Sequence, residues 1–387
     1  MHRLKIFSFD VIYLFCIVSF VFIPLTLNGK DLQFQFSLIL FEKLVYIIQQ
    51  QFFPNAISNI DFSSDTVALN ILLLILFLSS IVLISVLHLF KIKLTILRKL
   101  FFNISPYYIG LILLKYGLDK IALQQFSSPE ANILYTPFGY LEKDILFWST
   151  VGTSKFYNIA LGTIEIIASA FLFFRKTRLL GFCFAIGIVL NILIINLGFD
   201  ISVKTLSAFL LVVILFNLYP FIKPLYSLFI QNKLVQLGYN TNKLPLLYHN
   251  VIKICVLVLI IGFVSYPYLM GIFKNDEYSM PIFNNAYKVE GDSKNYKRIF
   301  FHKNNYIIFQ TDKDEMIDYH YELDTLKKRL ILQDYQRHQF EVTYEIGTTG
   351  KIKLLMNKNL ILNLMPIVWQ NLPALKDGLH YTIDEIK

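Results

Sequence analysis

The chain has 387 residues, 55% of them hydrophobic, with a mean hydropathy of +0.54 and a formal net charge of +9. That is too apolar for an ordinary soluble domain and points to a polytopic membrane protein with some soluble part. The charge does not speak for nucleic acid: residues 1–272 hold 20 Lys and Arg against 11 Asp and Glu, while residues 273–387 hold 16 of each. The positive excess therefore sits among apolar segments, where it reports orientation and not a polyanionic partner.

In chain order, seven stretches have the roughly 20 mainly apolar residues that a spanning helix needs: 7–27, 67–90, 101–124, 154–174, 179–198, 203–221 and 251–272. The first lacks a small-residue cleavage site and reads as an anchor. Residues 31–53, "DLQFQFSLILFEKLVYIIQQQFF", are too broken by charge and glutamine to cross comfortably and read as an amphipathic segment along the outer interface. Arg3, Lys5 and the stretches 91–100, 175–178 and 222–253 carry 13 Lys and Arg and no acid. The alternating loops 28–66, 125–155 and 198–204 carry 5 basic and 8 acidic residues. The positive-inside rule then predicts a cytoplasmic N-terminus and, after seven crossings, a C-terminal tail on the outer face.

The tail alternates with period two in runs such as "RIFFHKNNYIIFQT", "FEVTYEI" and "KIKLLMNKNLILNLM", punctuated by the turn signals "KNN", "IGTTGK" and "NKN". Short antiparallel strands follow, and a tail of this size needs its own core, a small β-sandwich or partial barrel. "DEMIDYHYELDTLKKRLILQD" reads as strand–turn–strand in preference to a helix. The expected division is an N-terminal anchor with its interfacial segment (1–66), a helical bundle (67–230), a connector with the last span (231–274) and an extracytoplasmic all-β domain (275–387).

Polar residues inside the spans define the candidate site. In the third span Lys115 and Asp119 are i,i+4 on one face, with Lys120 beside them and Tyr108 two turns below. In the fourth, Asn158, Gly162, Glu165 and Ser169 form one polar and small stripe. Asn191 and Asn196 lie in the outer half of the fifth, and Asp200 and Lys204 at the turn into the sixth. Charges there cost roughly 2.5–3.5 kcal/mol each on the insertion scale, so they are expected to face one another or a wet cavity. The small residues Gly162, Gly187 and Gly198 are expected to let helices approach closely. The reading is a four-helix bundle of the third to sixth spans with a polar pocket opening outward and Asp65 at its rim. Lys115–Asp119 and Asp200–Lys204 also make sense as structural pairs. Glu165, mid-helix with no base within one turn, is the candidate proton carrier.

At these residues the chain resembles the DoxX-like membrane proteins, in a long form familiar from Bacteroidota. The stretches that carry the likeness are "DFSSDT", "LLKYGLDKIALQQFSSP", "TPFG", "LFWSTVGTSKFYNIALGTIE", "FFRKTRLLGF" and "NLGFDISVKTLS", with the tail "NYKRIFF" matching more loosely. The resemblance implies a four-helix bundle core, residence in a bacterial inner membrane and association with redox proteins such as thiosulfate–quinone oxidoreductase subunits. By the same resemblance Asp65, Lys120, Glu165, Arg178, Asn196, Asp200 and Lys204 fall on recurring polar positions.

Cys16, Cys183 and Cys255 all lie in apolar runs without a CxxC pair, which argues against disulfide or dithiol chemistry. No nucleotide, zinc-protease or serine-hydrolase motif is present. His302, His320 and His338 recur every 18 residues, and hydrogen-bonded or exposed histidines are the simpler reading than a metal. Three functions follow as expectations. The chain is a scaffold that displays a periplasmic β-domain to an envelope protein partner, or a quinone- or lipid-binding accessory subunit of a membrane oxidoreductase, or, less favoured, a proton-coupled transporter.

Overall fold

A computed structural model describes residues 2–23, 32–56, 59–92, 94–234, 247–270, 281–291, 295–302, 305–347, 350–357, 360–376 and 382. Much of the expected 231–274 connector and the central residues of the "KNN", "IGTTGK" and "NKN" turns lie outside them. The chain forms two compact units, one of residues 1–125 and 159–271, the other of residues 126–158 and 272–387. These units cut the chain differently from the sequence division, because the segment between the third and fourth expected spans joins the tail.

The first unit is helical: α1 (His2–Phe22), α2 (Leu32–Phe52), α3 (Val67–Leu89), α4 (Thr95–Ile121), α7 (Lys155–Phe173), α8 (Arg178–Gly198), α9 (Lys204–Leu218), α10 (Ile222–Phe229) and α11 (Leu247–Leu269), with the first residues of α7 falling in the second unit. The intervening α5 (Ala131–Leu134) and α6 (Lys143–Gly152) belong to the second unit. Among the described residues four helical stretches are long and apolar enough to cross a membrane: α3, α7, α8 and Lys204–Phe229, which runs from α9 through α10. Shorter apolar helices cover Ile6–Phe22 and Ile254–Leu269. α4 falls outside this set, its apolar run diluted by Asn103, the Ser105–Tyr108 stretch and Lys115.

One buried cluster joins α1, α4, α7, α8 and α9 through Cys16, Phe101, Ile112, Leu172, Phe182 and Val213. The α4–α7 seam is built on glycine. A Cβ on Gly117 would stand 2.8 Å from the Gly162 carbonyl oxygen, and one on Gly110 would stand 2.7 Å from the Phe173 ring. Ser169 Oγ donates across the same seam to the Gly110 carbonyl at 2.7 Å. Gly162 thus permits close approach, as expected. Gly187 and Gly198 do not: a Cβ at either meets nothing within 4 Å.

α2 packs on the adjoining ends of α1 and α3. Gln33 and Ser37 donate to the Phe20 and Phe22 carbonyls, Phe41 meets Phe22 edge-on, and Val45 lies among Phe62, Leu69 and Leu72. The polar Ser37 and Gln49 point inward, while Leu32, Ile39 and Ile47 are exposed. An exposed apolar face over a polar seam suits a helix bathed by lipid.

In the second unit, the strands β1 (Ala286–Glu290), β2 (Tyr296–His302), β3 (Tyr306–Thr311), β4 (Met316–Asp324), β5 (Arg329–Gln333), β6 (Gln339–Ile346), β7 (Ile352–Asn357) and β8 (Leu360–Ile367) form a closed antiparallel barrel. Each strand pairs with its sequence neighbour, and β8 returns to β1 with Ala286 opposite Ile367. The tail is therefore a closed barrel, neither a sandwich nor a partial barrel. Eight strands enclose a space that side chains fill, and closure leaves no sticky edge. Ile299, Phe309, Leu330, Leu332, Val342, Leu354 and Leu362 fill it, and Phe283 seals it with the Tyr321 hydroxyl donating to its carbonyl at 3.3 Å. The expected strand–turn–strand over 314–334 is β4 and β5.

Residues 126–158 cover part of the barrel's outer wall. Ala131, Tyr135 and Trp369 pack on Ala286, Phe300 and Ile308, which point away from the core. Glu130 pairs with His302 at 2.8 Å, buried Gln310 donates to the Tyr135 carbonyl at 3.0 Å, and the Arg298 guanidinium lies 4.4 Å over the Tyr135 ring.

Candidate functional site

The structure gathers most of the expected polar residues into two groups, both in the helical unit. The first lies in the last turns of α4. Lys120 Nζ stands 2.9 Å from each carboxylate oxygen of Glu165 on α7, with both side chains more than nine-tenths buried. One turn earlier Lys115 pairs with Asp119 at 2.5 Å, and the Tyr268 hydroxyl of α11 donates to the other Asp119 oxygen. The Tyr116 ring lies between the two lysines, its centroid 5.6 Å from Lys115 Nζ and 5.8 Å from Lys120 Nζ.

The helix geometry explains the grouping. Gly117 and Gly162 let the α4 and α7 backbones touch, so the side chains one turn further on meet without stretching. The Glu165 Cβ itself lies 3.3 Å from where a Gly117 Cβ would be. A buried ion pair recovers its desolvation cost only with such geometry, and breaking one by removing a single partner costs roughly 3–5 kcal/mol. Chemically the group sets two ion pairs and the Tyr268 phenol on either side of the Tyr116 ring, which suits it to hold charge or to pass a proton.

The second group joins the segment before α3 to the turn before α9. Asp65 is not a pocket rim but a helix cap supplied from elsewhere in the chain. Its carboxylate accepts the Lys204 N–H at 2.7 Å and the Thr205 N–H at 2.9 Å, while its own N–H donates to the Ser202 carbonyl. The first N–H groups of a helix have no partner within it, and a carboxylate there also meets the positive end of the helix dipole. Asn196, 4% exposed, donates to Ser207 Oγ at 3.1 Å and ties α8 to α9. Asp200 takes a left-handed conformation (φ 54°) at this turn and pairs with Lys204 at 2.7 Å. Asp61 organises the approach to α3: its carboxylate accepts from Ser63 N–H, Ser63 Oγ and Ser64 Oγ. Burial pushes its pKa up, but these donors outweigh that and hold it below the ordinary value.

The remaining expected residues go elsewhere. Asn158 is fully buried at the start of α7 and donates to the Val151 carbonyl at 2.8 Å, closing the turn after α6. Asn191 is exposed on α8, away from either group. Tyr108 stacks on Phe20 at 4.3 Å. Arg178, 1% exposed, donates through Nε to the Leu172 carbonyl and lies 4.8 Å over the Tyr107 ring. The three histidines are dispersed. His302 faces Glu130, His338 Nδ1 is 3.0 Å from Asp334 on the β5–β6 turn, and His320 lies beside Tyr306 on the outer wall.

Sequence reasoning missed Tyr116 and Tyr268, because aromatic residues in apolar helices carry no signal until a charge is placed beside them. It also missed Asp10, a carboxylate inside the first apolar run, whose Oδ2 lies 3.1 Å from His88 Nε2 on α3. An acid in "SFDVIYL" was the available clue.

No family model matches the chain, and no solved structure matches it. The chain is similar to the uncharacterized protein YwoB of Bacillus subtilis (strain 168), 34% identical over 106 residues. That match takes in 27% of this chain and 66% of the relative, so it speaks for a shared segment and not for a shared whole.

Proposed function

We propose that the chain is an integral membrane protein of the bacterial inner membrane that displays its β-barrel unit on the outer face as a docking platform for an envelope protein. The observation that carries this reading is the incorporation of residues 126–158 into the barrel unit. The barrel unit is tied to the helical unit by three chain connections, at 125/126, 158/159 and 271/272, where a free tail would have one.

The same observation supports the finer topology. Residues 126–158 and the barrel fold together, so they share one side of the membrane. The chain between them must then cross an even number of times, which α7, α8, α9 and α11 supply. With α1, α3 and α4 counted as spans the total is seven, and the basic stretches 91–100 and 175–178 fall on the cytoplasmic side. α2 lies in the outer interface, consistent with its contacts at one end of α1 and α3.

A second reading follows from the Lys120–Glu165 pair and the phenols of Tyr116 and Tyr268. Proton-bearing groups of this kind suit a quinone- or lipid-binding accessory subunit, as the DoxX-like resemblance also implies, with Glu165 as proton carrier. One pair of measurements separates the two. A photo-crosslinker placed at Leu326 or Ile361, both exposed on the barrel, is expected to give a discrete adduct with one envelope protein in living cells. Absence of any adduct, together with stoichiometric quinone in the gently solubilised protein that is lost in Glu165→Gln, would overturn the platform reading in favour of the redox one.

A further inference from the structure

The outward face of α8 carries two costs that nothing among the described residues answers. Asn191 lies within the apolar run of α8, about two turns from its C-terminal end, and its carboxamide is exposed with no hydrogen-bond partner among the described residues. Two buried amides nearby find partners within the helical unit: Asn196 reaches Ser207, and Asn217 donates to the Val213 carbonyl and accepts from Ser105 Oγ. An amide in hydrocarbon without a partner costs several kcal/mol. One turn before it, Gly187 gives up helix stability relative to alanine, and a Cβ there would meet nothing within 4 Å among the described residues. Gly110, Gly117, Gly162 and Gly181, by contrast, each relieve a close approach. Cys183, Gly187, Asn191 and Ile194 form one exposed stripe, and α8 is the least covered of the four apolar stretches, with 28% of its apolar core buried against 39% in each of the others.

We infer that this stripe is a homodimer interface, in which a second copy of the chain lays its α8 against the first and the two Asn191 carboxamides bond to each other. The occupant follows from chemistry and geometry together. A carboxamide presents a positive N–H edge and a negative carbonyl edge, so two of them related by a two-fold axis are electrostatically complementary twice over. A copy inserted in the same orientation carries its Asn191 at the same depth in the membrane, so no search for a matching partner is needed. The open backbone at Gly187 lets the helices approach closely enough for the amides to meet, the arrangement that small and polar residues support between spanning helices.

The inference rests on α8 crossing a membrane, and the test keeps the two ideas apart. Full-length protein carrying Cys255→Ser is oxidised in native membranes, so that a disulfide between copies reports Cys183 on the proposed stripe, and the purified protein is weighed in lipid nanodiscs. A Cys183-linked dimer is expected, with Asn191→Leu weakening the dimer about tenfold and Asn191→Gln restoring part of it. Gly187→Leu, which adds bulk where the protomer has open space, is expected to weaken it as well. A monomer at every concentration, an Asn191→Leu dimer of unchanged strength, or a Cys183 adduct with a different protein would overturn the inference. Release of the chain from membranes by alkaline carbonate would overturn the membrane reading itself, whereas a membrane-retained monomer would overturn the dimer alone.

Discussion

The barrel buries Phe301, Phe309, Leu330, Leu332, Val342 and Leu354 and turns Lys288, Glu341, Glu345 and Lys353 outward. The helical unit buries Lys120, Glu165, Arg178, Asn196 and Asn217 and exposes Leu78, Val82, Ile194, Leu197 and Leu259. On the proposed placement, with water around the barrel and lipid around the helices, each unit hides what its surroundings refuse. Water rejects the barrel's apolar side chains, so burial itself stabilises them, by about 25 cal/mol per Å² of apolar surface. Lipid accepts leucine as readily as the interior does, so packing and polar contacts between helices must supply specificity instead. The difference teaches where each unit is vulnerable: the barrel to lost volume, the helical unit to lost partners.

The largest expected effect tests the vulnerable pair. Lys120→Met leaves Glu165 buried and unpaired, and should cost roughly 3–5 kcal/mol or force the carboxylate to take up a proton. Lys120→Met combined with Glu165→Leu should recover much of that loss. Thermal unfolding of the detergent-solubilised chain checks both, and a double variant as unstable as the single one would contradict the pairing. In the barrel the matching blow is Leu332→Ala, expected to cost about 2–5 kcal/mol with no second substitution able to rescue it by charge. Its measurement is the urea midpoint of the barrel transition.

Asp65→Ala comes next. It strips the carboxylate from the first turn of α9 and should cost about 1–2 kcal/mol, with Asp65→Asn recovering part through its remaining acceptor. Limited proteolysis at the 198–204 turn is the readout, and an unchanged cleavage rate in Asp65→Ala would count against the cap. The smallest effect is acidic. The Asp61 carboxyl and that of Asp334, held down chiefly by its bond to His338, both titrate below the ordinary value of about 3.9. A depressed folded pKa contributes stability that is present above the unfolded value and lost as pH falls through the folded one. Melting temperatures should therefore decline below about pH 4, and Asp61→Asn and Asp334→Asn should each flatten that decline in their own unit.

Much of this organisation was legible along the chain. Period-two alternation marked the strands, and long apolar runs marked α3, α7, α8 and α9. The i,i+4 spacing of Lys115–Asp119 and Asp200–Lys204 placed both pairs correctly, because local pairs need only helix periodicity. Three things were not legible. Asp65 reads as a loop acid until a turn 139 residues later brings its carboxylate two orphan N–H groups. Glu165 has no base within one turn of its own helix, so its partner is visible only when Gly117 and Gly162 bring α4 and α7 together. The segment 126–158 looks like a connecting loop, yet Glu130 and Tyr135 commit it to the barrel wall.

The sequence by itself determined which residues must avoid water and which could not sit alone in hydrocarbon, since composition and periodicity act over a few residues. Only the tertiary structure decided who answers whom. Closing β1 onto β8, capping α9 with Asp65, pairing Lys120 with Glu165 and leaving Asn191 without a partner among the described residues all depend on how segments far apart in sequence come together. Those contacts are fixed by backbone approach and packing, which no local pattern encodes.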